Sequence, residues 1–171
     1  MGEFDFLWNQ LKLISDEDYN KLVTNGCKAE KGDILFSKDG TIGRVILFSC
    51  DRDLVLLSSI AILRPKPEIP GIYLWVFLRQ SSTKEIINGG YVSGSALPRV
   101  ILKDLKKLPI VKPPNQLLRR FSNIVEPIFL KIMFNELESY SLASIRDTLL
   151  PKLLSGEIRI KEAEKIAAKA M

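Results

Sequence analysis

The chain has 171 residues, of which 46% are hydrophobic and 26% are charged, and it contains no histidine. This composition is typical of a soluble globular domain with an appendage and excludes a disordered chain. Without histidine, Ser-His and Cys-His nucleophile pairs and the usual His-containing zinc sites are excluded. Cys27 and Cys50 form no CxxC pair, no secretory signal opens the sequence, and the apolar runs are too short to span a bilayer. We therefore expect a cytoplasmic protein that has no contact with the membrane.

The net charge of +5 is unevenly distributed along the chain. Residues 79–112 carry a local net charge of +5, whereas residues 1–78 carry −2. A basic stretch in an otherwise balanced chain fits a surface that faces a polyanion such as DNA. A solvated charged face would give the same count, so charge alone leaves both interpretations open.

In the first two thirds of the chain, short β-branched segments alternate with turn residues. Ser15, followed by three acidic residues, predicts an N-cap and a short helix that extends to about Val23. Residues 33–37 and 42–48 are predicted strands, and Lys38-Asp39-Gly40 between them is a strong turn signal.

Further along, residues 54–63 form a third extended run and residues 72–78 are predicted to be a helix. A loop is indicated around residues 91–93 by the glycines that bracket them, Gly89, Gly90 and Gly94. Residues 110–112 are predicted to be a last short strand. This order of elements predicts an α+β, or irregular mixed α/β, globular domain over residues 1–114.

The remainder of the chain has helical periodicity. Asn115 is predicted to cap a long helix that begins at Gln116, and Pro127 should either kink this helix or begin a second one. We expect this long helix within residues 115–160 and a charged tail, helical or frayed, over residues 161–171. A 3-4 spacing predicts a coiled-coil-like seam that contains Leu118, Phe121, Val125, Ile128, Ile132, Asn135, Leu142, Leu149 and Leu153.

A helix of about 35 residues is about 50 Å long, which exceeds the diameter of the small domain before it. Such a helix cannot bury its whole seam against that domain, so we expect it to pack against a partner helix. The alternative is that it folds back into one compact core. Asn135 is either an exposed residue or a polar core residue that fixes the register of a helix pair.

Four segments, in the same order, resemble the specificity subunits of type I restriction-modification systems. Residues 30–45 resemble the segment of the recognition domains with the pattern KGDIL-S-GTIG-V, and the preceding residues 14–19 also resemble that family. Residues 94–116 are similar to the end of such a domain, and residues 145–158 to the LRDTLLPKLLSGEI end of the helix that follows it. Each motif is weak by itself, but four collinear motifs are specific.

The resemblance implies a half-length specificity subunit with one target recognition domain and one spacer helix. A full subunit carries two such domains held apart by two antiparallel helices, binds two methyltransferase subunits and reads a bipartite DNA target. Methyl transfer and cleavage belong to other subunits. We therefore expect a sequence-specific DNA-binding protein that forms a homodimer through the long helix and docks methyltransferase subunits. Fewer residues precede Lys31-Gly32-Asp33 than is usual in the family, which indicates a truncated chain or a shortened recognition domain.

The sequence offers no enzyme site. It contains neither a GxGxxG motif after a strand nor a GxxxxGK[ST] motif, and Gly40-Thr41-Ile42-Gly43 fits a hairpin turn better than a phosphate cradle. Asp51 and Asp53 fit turn positions better than a metal site. We expect no enzymatic activity, no cofactor and no metal. The alternative function is a helical adaptor that binds methyltransferase, or a full specificity subunit, without reading DNA.

Direct readout of DNA requires arginine, lysine and short polar side chains on protruding loops. Arg44 and Arg99 are the predicted guanine contacts, because a guanidinium can donate two hydrogen bonds to one guanine edge. Lys106 and Lys107 are predicted phosphate contacts. The remaining candidates for DNA contact are Ser37, Lys38, Thr41, Lys84, Asn88, Ser93 and Ser95.

Overall fold

A computed structural model of the chain describes residues 6, 8, 11–94 and 98–170. The described chain mixes short strands and helices and then forms one long helix, which confirms the predicted α+β class. Contacts divide the chain into two compact units between Pro127 and Ile128. In chain order the elements are α1 (Asp16–Thr24), β1 (Ile34–Ser37), β2 (Val45–Leu47), β3 (Ile60–Leu63), α2 (Gly71–Arg79), α3 (Ser81–Gly90), β4 (Val92–Ser93), β5 (Arg99–Val100), α4 (Leu102–Leu105), α5 (Asn115–Leu154) and α6 (Ile160–Ala170).

The first unit is built around an antiparallel sheet with the strand order β2-β1-β3. Ile34 of the central strand pairs with Leu47 on one side and with Leu63 on the other. β1 is buried along its whole length, as expected for a central strand that has both faces covered. Helix α2 packs against β1 and β2. Two of the strands also contribute to a cluster of buried side chains. Its members are Phe6, Ala29, Leu35 of β1, Ile46 of β2, Phe48, Leu54 and Leu56.

The buried carboxylate of Asp33 links the start of β1 to the end of β3 through hydrogen bonds. Asp33 accepts two hydrogen bonds from Arg64, from Nε and from one terminal nitrogen, each at 2.9 Å. It also accepts the backbone N–H of Glu30 at 2.8 Å. Only 3% of the Asp33 side chain is exposed, so these three donors replace its hydration. The same carboxylate raises the pKa of Arg64, which remains a cation.

Helix α1 has the predicted cap and is attached to the unit through polar contacts. The Ser15 hydroxyl accepts the N–H of Asp18 at 3.1 Å, and α1 contains no buried residue. The hydroxyl of Tyr19 donates to Asp53 at 3.1 Å, and the Lys28 ammonium lies 2.6 Å from the same carboxylate oxygen. These hydrogen bonds, with that from Lys28 first, lower the pKa of the Asp53 carboxyl, while Asp53 raises the pKa of Lys28.

Three predictions for the first unit were wrong. Residues 54–59 do not extend β3 and contribute only an isolated bridge between Val55 and Lys28, because the chain turns before Ile60. Gly89 and Gly90 end helix α3 instead of lying in a loop, and residues 92–93 form β4.

The third error is the strand predicted at residues 110–112, which belong to none of the described strands. The carbonyl of Val111 accepts a hydrogen bond from the hydroxyl of Tyr73 at 2.6 Å instead of one from a neighbouring strand. The apolar residues of this segment therefore do not indicate a strand, because the side chain of Tyr73 and not a neighbouring strand holds the segment.

Helix α5 is continuous through Pro127, so the proline neither ends it nor begins a second helix. Because proline has no N–H, the carbonyl of Asn123 loses its helical partner. Asn123 is exposed, and water can satisfy this carbonyl. Within the first unit, Leu118 of α5 is buried and the ring of Phe121 meets that of Tyr73 edge-on at 5.6 Å. The first turns of α5 therefore belong to the core of the first unit.

The second unit contains the remainder of α5 and helix α6, so the predicted tail is helical. Gly156 lies in the connection between them with a left-handed φ of 74°, which favours glycine. Leu149 and Ala163 are buried. Many large apolar side chains of this unit are exposed, among them Ile128, Leu130, Phe134, Leu137, Leu142, Leu154 and Ile160. In the described part of the chain, no helix combines the length and the apolar character needed to cross a membrane.

Candidate nucleic-acid interface

The turn between β1 and β2 is shaped by the side chain of Ser37. Its hydroxyl donates to the carbonyl of Thr41 at 2.6 Å and accepts the N–H of Arg44 at 2.8 Å. Gly43, with a φ of 82°, donates its N–H to the carbonyl of Ser37 at 3.0 Å. Ser37 itself is buried, whereas Thr41 and Arg44 are exposed. Ser37 thus fixes the path of the turn, while Thr41 and Arg44 present their side chains to solvent.

This turn and helix α3 together border a cavity of about 160 Å³. Three of the predicted DNA contacts, distant in sequence, meet there: Arg44 from the turn and Lys84 and Asn88 from the helix. Lys84 and Asn88 lie one helical turn apart and therefore share a face of α3. The cavity is completed by Ile42, Gly43 and Ile87. Two cations and an amide beside two isoleucines in a concave site suit a phosphate or the edge of a base.

The turn is also joined to β5, which carries Arg99. The N–H of Val100 donates to the carbonyl of Lys38 at 2.8 Å. Asp39 stands between two cations: its Oδ1 lies 2.8 Å from Nε of Arg99 and its Oδ2 lies 3.2 Å from Nζ of Lys38. The side chains of Lys38 and Asp39 are 15% and 18% exposed, whereas that of Arg99 is 63% exposed. Ser93 is exposed in the neighbouring strand, β4.

The other predicted DNA contacts lie after β5 or outside the described chain. Lys106 is exposed, and Nζ of Lys107 lies 2.7 Å from Asp104. This ion pair raises the pKa of Lys107, which remains a cation. Ser95 lies outside the described residues. The described residues contain no group of three or more His, Cys, Asp or Glu side chains placed to hold a metal ion.

Sequence reasoning missed the link between Asp39 and Arg99. It treated Asp39 as a turn residue, whereas the backbone of Asp39 forms a bridge with Arg99 at the start of the turn. The two residues are far apart along the chain, and no local spacing pairs them. Only the register of β5 beside the turn brings them together.

The predicted helix seam divides between the two units. In the first unit Leu118 is buried, and Phe121 and Val125 are half-buried. In the second unit Ile128 and Leu142 are 55% and 47% exposed. There Asn135 is also exposed, Ile132 and Leu153 are half-buried and Leu149 is buried.

A second exposed apolar row in the second unit was missed by sequence reasoning. Leu130, Phe134 and Leu137 are 62%, 59% and 63% exposed and stand at i, i+4 and i+7 on α5. The same spacing is present in the sequence, but the neighbouring seam gave more matches to the heptad pattern.

Comparison with known proteins identifies the family. Residues 14–141 match the model of the type I restriction modification DNA specificity domain. The specificity subunit of the type I restriction enzyme MjaIX from Methanocaldococcus jannaschii is 40% identical over 79 residues, which are 46% of this chain and 18% of that relative. The specificity subunit of the HindI enzyme from Haemophilus influenzae is 33% identical over 86 residues, 50% of this chain and 19% of that relative.

The matching regions make up about a fifth of the length of each of these two relatives. The family match is much longer: it begins just before helix α1 and extends well into α5. The matched domain is defined by DNA specificity rather than by catalysis, which agrees with the prediction of a non-enzymatic chain. The chain belongs to the family of type I restriction modification DNA specificity domains.

Proposed function

We propose that this chain recognises double-stranded DNA through one surface of the first unit and serves as a half-length specificity subunit. The observation that carries the proposal is the cavity at which Arg44, Lys84 and Asn88 meet. We call this cavity, together with the turn of residues 38–44 and strand β5, the recognition surface.

The recognition surface has the chemistry that duplex DNA requires. Arg44 and Arg99 provide guanidinium groups for guanine edges, and Lys84 provides a cation for a phosphate. Thr41 and Asn88 provide short polar groups for base edges or sugars. Ser37 is left out of this set, because its hydroxyl is buried and already bonded within the turn.

The rest of the proposed assembly depends on the second unit. We propose that two copies pair through the exposed apolar side chains of α5 that follow Pro127, so that two recognition domains serve one bipartite target in the cytoplasm. Ile128 and Leu142 are the central contacts, because both remain exposed in a single copy. The paired chains would dock methyltransferase subunits, which supply the chemistry.

DNA binding is tested by a salt titration with the full chain and a duplex of random sequence. Neutralisation of phosphates by lysine and arginine makes the logarithm of the binding constant fall linearly with the logarithm of the salt concentration. The double variant Arg44→Ala/Lys84→Ala should bind more weakly and give a shallower slope. A matched control, Lys21→Ala/Lys31→Ala, removes two exposed lysines that are paired with acids elsewhere and should keep the wild-type slope.

A second candidate function is favoured by the exposed apolar side chains of the second unit. A helical adaptor would use Leu130, Phe134 and Leu137 to bind a methyltransferase or a full specificity subunit and would not read DNA. Such a protein would bind DNA weakly or not at all in the same titration. That result would reject the DNA-binding proposal and favour the adaptor.

A further inference from the structure

Asp39 occupies an unusual position for an acid on a surface proposed to face phosphates. Its carboxylate is mostly buried and lies between Nε of Arg99 at 2.8 Å and Nζ of Lys38 at 3.2 Å. The backbones of Asp39 and Arg99 also face each other in an antiparallel bridge. The acid is therefore fixed by its backbone and by two charged neighbours.

The contact uses a particular part of the guanidinium group. Nε is the guanidinium atom that lies 2.8 Å from Oδ1 of Asp39, in an ion pair whose geometry is not that of a hydrogen bond, while the side chain as a whole remains 63% exposed. A guanidinium has five N–H donors in a planar fork, and four of them belong to the two terminal nitrogens. A guanine edge accepts hydrogen bonds at O6 and N7 from two such donors. A carboxylate at Nε therefore limits rotation of the plane without occupying the terminal donors.

We propose that Asp39 is a positioning residue that holds the Arg99 guanidinium in place for a base-specific contact. The inference rests on the proposed DNA-binding function and deepens it by assigning a determinant of specificity. Holding the side chain before DNA binds reduces the conformational entropy that is lost on binding. Asp39 also has an opposite effect, because its negative charge repels nearby phosphates and weakens binding to every sequence.

These two effects predict a particular phenotype for Asp39→Asn. The substitution keeps the size of the side chain but removes the charge that holds Arg99. Binding to DNA of unrelated sequence should tighten by about twofold or more at low salt, because the net charge rises by one. Discrimination at one base pair should fall by about tenfold, because the guanidinium is no longer held for its two-donor contact. A pair that only joins β5 to the turn predicts weaker binding to all sequences instead.

The experiment is a binding selection on randomised duplex DNA with the full chain, followed by affinity measurements on the selected and on unrelated sequences. Asp51→Asn is the matched control, because Asp51 is an exposed acid whose loss raises the net charge equally. It should tighten binding slightly and leave the selected sequence unchanged. Arg99→Lys should weaken the same base preference as Asp39→Asn, since a lysine ammonium has no planar fork of donors that Asp39 could hold in place.

A measurement without DNA separates the geometry from the function. In NMR relaxation measurements, the Nε–H bond vector of Arg99 should be more ordered in the wild type than in Asp39→Asn. Equal order in both would overturn the positioning role even if the chain reads DNA. An ordered guanidinium with no selected sequence in the wild type would reject the proposed function. A selected sequence that persists unchanged in Asp39→Asn would reject the inference alone.

Discussion

At the scale of single residues, the recognition surface separates side chains that build the turn from side chains that face outward. Ser37 and Asp39 have most of their surface covered and are engaged within the unit, whereas Thr41, Arg44 and Arg99 are largely exposed. A change at Ser37 should alter the path of the turn, a change at Asp39 should act on DNA through Arg99, and changes at the exposed residues should alter individual contacts with DNA.

Arg44→Ala should change which sequence is bound as well as how tightly. A two-donor contact to a guanine edge contributes about 1–3 kcal/mol to discrimination, so the preference at one base pair per recognition domain should relax by that amount. Lys106→Ala should instead weaken binding to all sequences alike, because a phosphate contact carries no base information. A binding selection on randomised DNA compares the two variants. An unchanged consensus for Arg44→Ala would remove Arg44 from the set of base contacts.

Asp33→Ala should destabilise the first unit without touching the recognition surface. The change removes a buried carboxylate and leaves the N–H of Glu30 and the guanidinium of Arg64 without their partner, at a cost of about 2–4 kcal/mol in the free energy of unfolding. The exposed part of Arg64 can be solvated, which keeps the cost below that of a fully buried pair. Urea unfolding measures the loss. Glu30→Ala, which removes only an exposed acid 3.3 Å from Arg64, is the control and should change little.

At the scale of elements, the attachment of α1 to the rest of the first unit should depend on pH through Asp53. The pKa of this carboxyl is lowered, chiefly by the hydrogen bond from Lys28 and then by that from Tyr19. The attachment is therefore complete above the ordinary aspartate pKa of about 3.9 and is lost as the pH falls through the lowered value. The protection factors of the α1 amides, which correct the exchange rate for its intrinsic dependence on pH, should be constant at neutral pH and fall only in acid. In Asp53→Asn the α1 amides should be less protected than in the wild type at neutral pH. Lowering the pH should not reduce their protection further, because residue 53 no longer titrates.

Elements with strong local signals could be predicted from the sequence. The cap of α1, the presence of a turn between β1 and β2, helix α2 and the long α5 were correct, because each follows from spacing or from a turn residue. Two boundaries differ: β2 begins at Val45 and not at residue 42, and Asn115 is the first residue of α5 instead of its cap. Helix α3 was missed since Gly89 and Gly90 mask its end, although Thr83 and Ile87 are buried one turn apart on it. Tertiary contact overrode the local pattern there.

The candidate surface was predictable in composition but not in arrangement. The sequence identifies the basic and short polar residues, and the structure brings Arg44, Lys84 and Asn88 together. Which of them are exposed follows from hydrogen bonds that no spacing reveals, as the burial of Ser37 illustrates. The partner of Arg99 depends on strand register, which is a property of the fold.

At the scale of the whole molecule, the proposed homodimer should depend on exposed apolar residues of α5. Ile128→Asp/Leu142→Asp should dissociate two copies, because an unpaired charge in a dry helix seam costs several kcal/mol. Both side chains are exposed in one copy, so the fold of the monomer should survive. Light scattering at micromolar concentration measures the change, with circular dichroism as the check on folding. Leu13→Asp, at a fully exposed leucine, is the control. A wild-type chain that remains at 19.3 kDa would contradict the dimer.

A homodimer would also determine the symmetry of the target. Two copies related by a twofold axis present equivalent recognition surfaces, so the preferred DNA should be an interrupted palindrome. Selection on randomised DNA with a methyltransferase subunit present gives the consensus directly. An asymmetric bipartite consensus would argue against pairing of identical copies and in favour of a partner with a different recognition domain.

The participation of α5 in the core of the first unit has a consequence for protein engineering. Leu118 and Phe121 complete that core, although both lie in the predicted spacer helix. A chimaera joined at residue 114 would combine the recognition domain of one parent with core side chains of another and would have mismatched packing. A junction after Pro127 transfers the recognition domain together with the turns that stabilise it. Exchange of DNA specificity between members of this family should therefore succeed more often with the later junction.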